Sequence, residues 1–169
     1  MTQSLQRNYH NHHLLEMAKE RLMLEEFLIR NSNLDVRDEE DRNILYWTIK
    51  NRSRHNTAIL LKYNIDLMVS PNIHAIFHAI ASGDIDIFLH IIESKNIDLD
   101  MQNNDGETLL MRAIENQSIQ MVRYLINHGV DLHVKNNNGE RAIDYAKKSK
   151  NRYIFDLVHY RILYKSSEG

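Results

Sequence analysis

The chain has no cysteine in its 169 residues. Disulfides, thiolate metal sites and cysteine nucleophiles are therefore excluded, and the composition suits a reducing compartment. It has a single proline, Pro71. There is no long uncharged apolar run, and residues Met1 to His13 lack an apolar core of the kind that marks a signal peptide. The expectation is a protein that neither spans a membrane nor uses the Sec route: cytoplasmic, or secreted by a route without such a leader. Charge of neither sign is in excess. The net value is −2, which argues for neither nucleic acid nor an acidic membrane as partner. No segment is of low complexity, and 43% hydrophobic residues suffice for one continuous core in a single domain.

Recognisable catalytic motifs are lacking too. There is no glycine-rich phosphate loop, no G-x-S-x-G elbow and no H-E-x-x-H helix. The ten histidines raise the question of metal. His74 and His78 are spaced i, i+4, but no carboxylate or cysteine stands at matching spacing. His74 also occupies a helix-opening position, where accepting a hydrogen bond is the usual task. His10, His12 and His13 lie in a polar segment suited only to adventitious binding. The expectation is no metal, no cofactor and no enzyme. Asn51-Arg52-Ser53 and Asn116-Gln117-Ser118 match glycosylation sequons but fall inside helical units.

What is present is repetition. Asn103 to Leu132 reads as a polar turn, a short helix, a break at Asn116 to Ser118, a second helix and a stop at Gly129. Leu109, Leu110, Ala113 and Ile114 share one helical face, as do Ile119, Val122, Leu125 and Ile126. Val130-Asp131-Leu132 recurs as Ile97-Asp98-Leu99, Ile65-Asp66-Leu67 and Leu34-Asp35-Val36, the aspartates stepping by 33, 32 and 31. Asn138-Gly139-Glu140 repeats Asp105-Gly106-Glu107 at a step of 33. The apolar pair Leu125-Ile126 has counterparts at Leu28-Ile29, Leu60-Leu61, Ile91-Ile92 and, more loosely, Leu157-Val158.

A turn and two helices at a period near 33 resemble the ankyrin repeat family. Asp105-Gly106-Glu107-Thr108-Leu109-Leu110 is similar to that family's D-G-x-T-P-L opening, and His128-Gly129-Val130-Asp131 to its G-A-D ending. The resemblance implies an all-α solenoid of about five repeats in one domain, 1–169. Its units are 1–37 (an N-terminal cap), 38–70, 71–103, 104–136 and 137–169 (a C-terminal cap).

The match is sharp in the fourth unit and good in the third and fifth, and departures lie mainly in the first two. In the first unit Leu14, Leu15, Met17, Ala18, Leu22, Leu24, Phe27 and Leu28 suggest an amphipathic pair with an acidic outer face. An acidic turn from Asp35 to Asp41 reads as a solvated loop tip, or as a steering patch for a basic partner. In the second unit Arg52 replaces the inter-helix glycine. Asn64 replaces the terminal one and is expected to take the left-handed turn. Asn56 and Thr57 dilute that unit's second helix. Lys95 reads as a one-residue insertion in the third unit. The last helix runs long, as a cap does, and carries Ile154, Phe155, Leu157, Val158, Ile162 and Leu163.

The resemblance also implies function through shape: a groove lined by first helices, beside projecting turns. The groove position in each unit falls on Trp47, His78, Arg112 and Tyr145. Flanking positions are Lys50, Asn51, Ser82, Glu115, Asn116 and Lys148, and turn-tip positions are Asp41, Arg42, Asn72, Ile73, Glu107 and Glu140. Trp, Tyr and Arg dominate binding hot spots, so this row reads as a partner-binding surface. The alternative is that Trp47, Arg112 and Tyr145 simply pack against neighbouring helices. Acidic turns early in the chain and Arg141, Lys147, Lys148, Lys150 and Arg152 late in it suggest a charge gradient. The expected protein is a monomer when free that binds another protein, as a toxin-neutralising or host-targeted effector. The alternative is a regulatory or adaptor subunit of a larger enzyme or channel complex.

Overall fold

In a computed structural model, residues 18–30, 34 and 36–165 are described. The described residues hold nine helices and one two-stranded hairpin, and they form two compact units that divide after Asn96. His10, His12, His13, Leu14, Leu15, Met17 and Asp35 lie outside the described residues.

The first unit contains α1 (Arg21–Arg30), α2 (Ile44–Lys50), α3 (Arg54–Leu60), β1 (Met68–Ser70), β2 (Ile73–His74), α4 (Ala75–Ser82) and α5 (Ile85–Ser94). Each start of α2, α4 and α5 is set by a side chain that accepts an otherwise orphaned backbone N–H. Asn43 takes the N–H of Tyr46 at 3.0 Å. His74 Nδ1 takes that of Ile76 at 3.2 Å, the helix-opening task expected for it. Asp84 takes those of Asp86 and Ile87 at 3.0 and 3.2 Å. Helix α2 packs on α3 and α4, and α5 packs on α3 and α4. Ile44, Leu45, Ile49, Leu60, Ile76, Phe88 and Ile91 are wholly buried between them.

The second unit contains α6 (Leu109–Glu115), α7 (Ile119–Asn127), α8 (Ala142–Lys148) and α9 (Arg152–Lys165). Thr108 caps α6 by accepting the Met111 N–H at 3.2 Å. Helices α6 and α8 lie side by side, and α7 and α9 do likewise. Leu109, Ala113, Ile114, Met121, Val122, Leu125, Ile154 and Val158 form the core. At fourteen residues α9 is the longest described helix, with Tyr160 and Leu163 more than half exposed.

The repeat is legible in the backbone. Turn tips at Asp41, Asn72, Gly106 and Gly139 are all left-handed, as are the breaks between helices at Arg52, Gly83, Gln117 and Lys150. Non-glycine residues fill five of these eight places, each holding a conformation that costs roughly 1 kcal/mol. Within each unit a side chain then joins one turn to the next. Arg37 reaches Asp66 at 2.6 Å and the Met68 carbonyl at 3.0 Å, and Gln102, its equivalent, reaches the Lys135 carbonyl at 3.1 Å.

Three expectations need correction. Asn64 does not adopt the left-handed turn that Gly129 does at φ +80°, because this chain leaves α3 differently, through turns at Leu61 to Tyr63. Ile29 is 86% exposed, so the Leu28-Ile29 pair does not close α1 as Leu125-Ile126 closes α7. Asp38 is no solvated tip: its side chain is 2% exposed. Elsewhere, Asn56 and Thr57 are buried but satisfied, Asn56 by the Ala18 carbonyl at 3.1 Å and Thr57 by that of Ser53 at 2.9 Å. Lys95 spans back to the Tyr63 carbonyl at 2.9 Å.

Candidate functional site

The first helices carry the candidate residues, and each unit organises its own set. In the first unit the organising group is Asp38. Its Oδ1 accepts the backbone N–H groups of Glu40 and Arg42 at 2.9 and 3.0 Å, which fixes the turn. Its Oδ2 accepts from the Arg42 guanidinium at 2.7 Å and from the Trp47 indole N–H at 2.9 Å. Burial opposes charge on Asp38, but these four donors outweigh it and hold the carboxyl below its ordinary range. Arg42 also meets Glu40 at 2.6 Å, and its guanidinium lies 4.5 Å from the Trp47 ring centroid.

Tyr46 joins the two row residues of this unit. Its ring meets Trp47 edge-on at 5.4 Å and stacks on His78 at 4.3 Å with an interplanar angle of 10°. His78 Nε2–H donates to the Tyr46 carbonyl at 3.2 Å. Burial pushes the His78 imidazole below its ordinary pKa, so the ring stacks in its neutral form near pH 7. Lys50 is exposed, its ammonium 4.9 Å from the Trp47 centroid and 5.7 Å from that of Tyr46. Asn51 is exposed and Ser82 is turned back to the Ala79 carbonyl at 2.7 Å. At the tips, Asp41 and Asn72 are exposed, and Ile73 lies in β2, 38% exposed.

In the second unit Glu107 has the joining role. It accepts from Arg112 at 3.4 Å, from the Tyr145 hydroxyl at 2.6 Å and from Asn103 at 2.9 Å. Arg112 also pairs with Glu115. Tyr145 accepts from Asn136 Nδ2 at 2.9 Å. Burial, reinforced by the Glu107 carboxylate, pushes the Tyr145 phenol up to about 12. Lys148 pairs with Glu140 and lies 6.0 Å from the Tyr145 ring centroid. Thus Arg112 and Tyr145 meet through a carboxylate, whereas Trp47 and His78 meet through a ring.

Three groups in these networks escaped the sequence reading. Tyr46 was assigned no role. Asn103 was read only as part of a polar turn, and Asn136 was assigned no role. A signal was available: Asp38, Asn103 and Asn136 are spaced by 65 and 33, and all three carbonyl-type oxygens accept the same two backbone N–H groups two and four residues on. Late basic residues are largely paired locally, Lys147 with Asp144, Lys148 with Glu140 and Arg152 with Asp156, so much of the supposed positive end is neutralised. Among the described residues no cluster of three metal-ligating side chains occurs, and none of their helices is long and apolar enough to cross a membrane.

Within each unit, stacked helix pairs at this period, with left-handed turns at fixed steps, define a repeat protein. Residues 76–163, more than half of the chain, match the family described as ankyrin repeats (3 copies), and the chain belongs to the ankyrin repeat family. Alpha-latrotoxin-Lg1a of Latrodectus geometricus is 32% identical over 98 residues, covering 54% of this chain and 7% of that protein. An ankyrin repeat protein of fowlpox virus is 26% identical over 144 residues, covering 83% and 24%. An L-asparaginase of Dirofilaria immitis is 30% identical over 90 residues, covering 50% and 15%. The chain thus spans less than a quarter of the length of these relatives. It is a protein–protein interaction module built from ankyrin repeats.

Proposed function

We propose that the module binds a partner protein through the first-helix face and the adjoining turns. Trp47 and His78 act in one unit, Arg112 and Tyr145 in the other, flanked by Arg42, Lys50, Glu107, Glu115, Glu140 and Lys148. The observation that carries this reading is that the row is half-buried, and held by ring stacking and hydrogen bonds rather than by the apolar core. Side chains fixed in this way lose little freedom on docking, which is what a hot spot requires. The whole chain, 1–169 with the five unit bounds given above, is proposed as one domain, monomeric when free and cytoplasmic.

The role is stoichiometric recognition without chemistry. The similarity to an asparaginase covers 15% of that enzyme, and similarity to a latrotoxin covers 7% of that toxin, so neither activity is proposed here. Neutralising a cognate toxin or engaging a host protein both fit such a module; a regulatory or adaptor subunit of a larger assembly is the second reading. Affinity capture from source lysate, wild type against Trp47→Ala/Arg112→Ala/Tyr145→Ala shown to be folded, tests the surface. A partner lost only from the variant supports it, and one retained by both moves the site elsewhere.

A further inference from the structure

We propose that the second repeat carries a docking point for a carboxylate side chain of the partner, built from Lys50 over Trp47 and Tyr46; this rests on the binding-surface reading above. The inference comes from comparing equivalent positions. Arg42, Glu107 and Glu140 are equivalent, as are Lys50, Glu115 and Lys148, at steps of 65 and 33. In the fourth repeat the cation Arg112 lies between Glu107 and Glu115. In the fifth, Lys148 is neutralised by Glu140. These first-helix faces pair such a cation with a carboxylate of their own repeat.

The second repeat does not. The position that supplies Glu107 and Glu140 elsewhere holds Arg42, which is itself taken up by Asp38 at 2.7 Å and Glu40 at 2.6 Å. Among the described residues no carboxylate pairs with Lys50. His78 on α4, which stacks on Tyr46, is kept neutral by burial and brings no compensating charge. The Lys50 ammonium is instead held over two rings. Aromatic faces attract a cation without neutralising it, so the ammonium is positioned yet keeps its demand for an anion. A carboxylate arriving there gains a charge-assisted hydrogen bond beside apolar ring surface that sheds water. The occupant that fits is an acidic segment of a protein.

Trp47 is the only tryptophan, so its fluorescence reports on this point directly. The probe is hexaglutamate with blocked ends, with blocked hexalysine as control, at low salt. The wild type should show a saturable change with hexaglutamate alone. Lys50→Gln, at an exposed site that keeps most of the stem, should weaken it roughly tenfold. Lys62→Gln, at an exposed position off this face, should leave it unchanged. A flat titration of the wild type, or an undiminished response in Lys50→Gln, overturns the proposal. Capturing the partner separates the two levels. A partner lost from Trp47→Ala but kept by Lys50→Gln removes the carboxylate and leaves the surface; one kept by both removes the surface as well.

Discussion

Asp38 is the residue on which the first network depends, since one buried carboxylate holds a turn, a guanidinium and an indole. Asp38→Ala would leave the Trp47 N–H without its acceptor and Arg42 with Glu40 alone, at a cost of about 2–3 kcal/mol. Asp38→Asn should cost less, because Asn103 and Asn136 already hold the same turn with an amide oxygen. Urea denaturation of both variants measures the order; equal losses would mean that the turn contributes nothing. Histidines set a second residue-scale expectation. Burial holds His78 and His74 below their ordinary 6.5, so as pH falls through that value the unfolded chain takes up protons the folded chain refuses. Stability is therefore full above about pH 6.5 and declines below it. Asp38 and Asp84 act in a lower window: both are held below 3.8, and their contribution disappears only as pH falls through those depressed values. Comparing unfolding free energies near about pH 7.5 and about pH 5.5 should show the loss, and His78→Gln should shrink the difference.

At the scale of elements, two equivalent glycines separate backbone conformation from packing. Gly106 and Gly139 have φ of +73° and +77°. A Cβ at Gly139 meets open space, but one at Gly106 would lie 2.6 Å from Asn137 Oδ1 and 2.8 Å from the Asn137 backbone nitrogen. Gly139→Ala should cost about 1 kcal/mol for the left-handed turn alone. Gly106→Ala should cost about 1–2 kcal/mol more, since one repeat must move from the next. Thermal melts of the pair check this, and equal melting temperatures would contradict it. Helices and turns were legible in the sequence because local chemistry sets them: the apolar spacing of Leu109 to Ile126 and the Gly129 stop each act within a few residues. Arg52 shows that a left-handed break at the expected place survives loss of its glycine. Asn64 shows the reverse, since its residue type permits a turn that the local path does not use. The linking of Trp47 to His78 by Tyr46, and of Arg112 to Tyr145 by Glu107, depends on side chains 31 to 38 residues apart, which periodicity does not encode. A run of acidic residues concealed the burial of Asp38 for the same reason.

For the whole molecule, the family and its all-α repeats were legible from the period together with the Asp105–Leu110 and His128–Asp131 motifs that resemble the ankyrin pattern, whereas a partner's identity is not encoded in a scaffold shared by unrelated binders. Treating 1–169 as one domain predicts that Trp47 fluorescence, which reports the unit ending at Asn96, and far-ultraviolet circular dichroism follow one coincident transition; separated transitions would divide the domain. Partners are proposed to engage the first-helix face, and that engagement can be located residue by residue. It is tested most directly by placing a photo-crosslinking amino acid at exposed Asn51 or Glu115 on that face, and at exposed Lys62 or Ile119 on the second-helix side. Covalent adducts with a partner in source lysate should form from Asn51 and Glu115 alone. Adducts confined to Lys62 and Ile119 would contradict the claim.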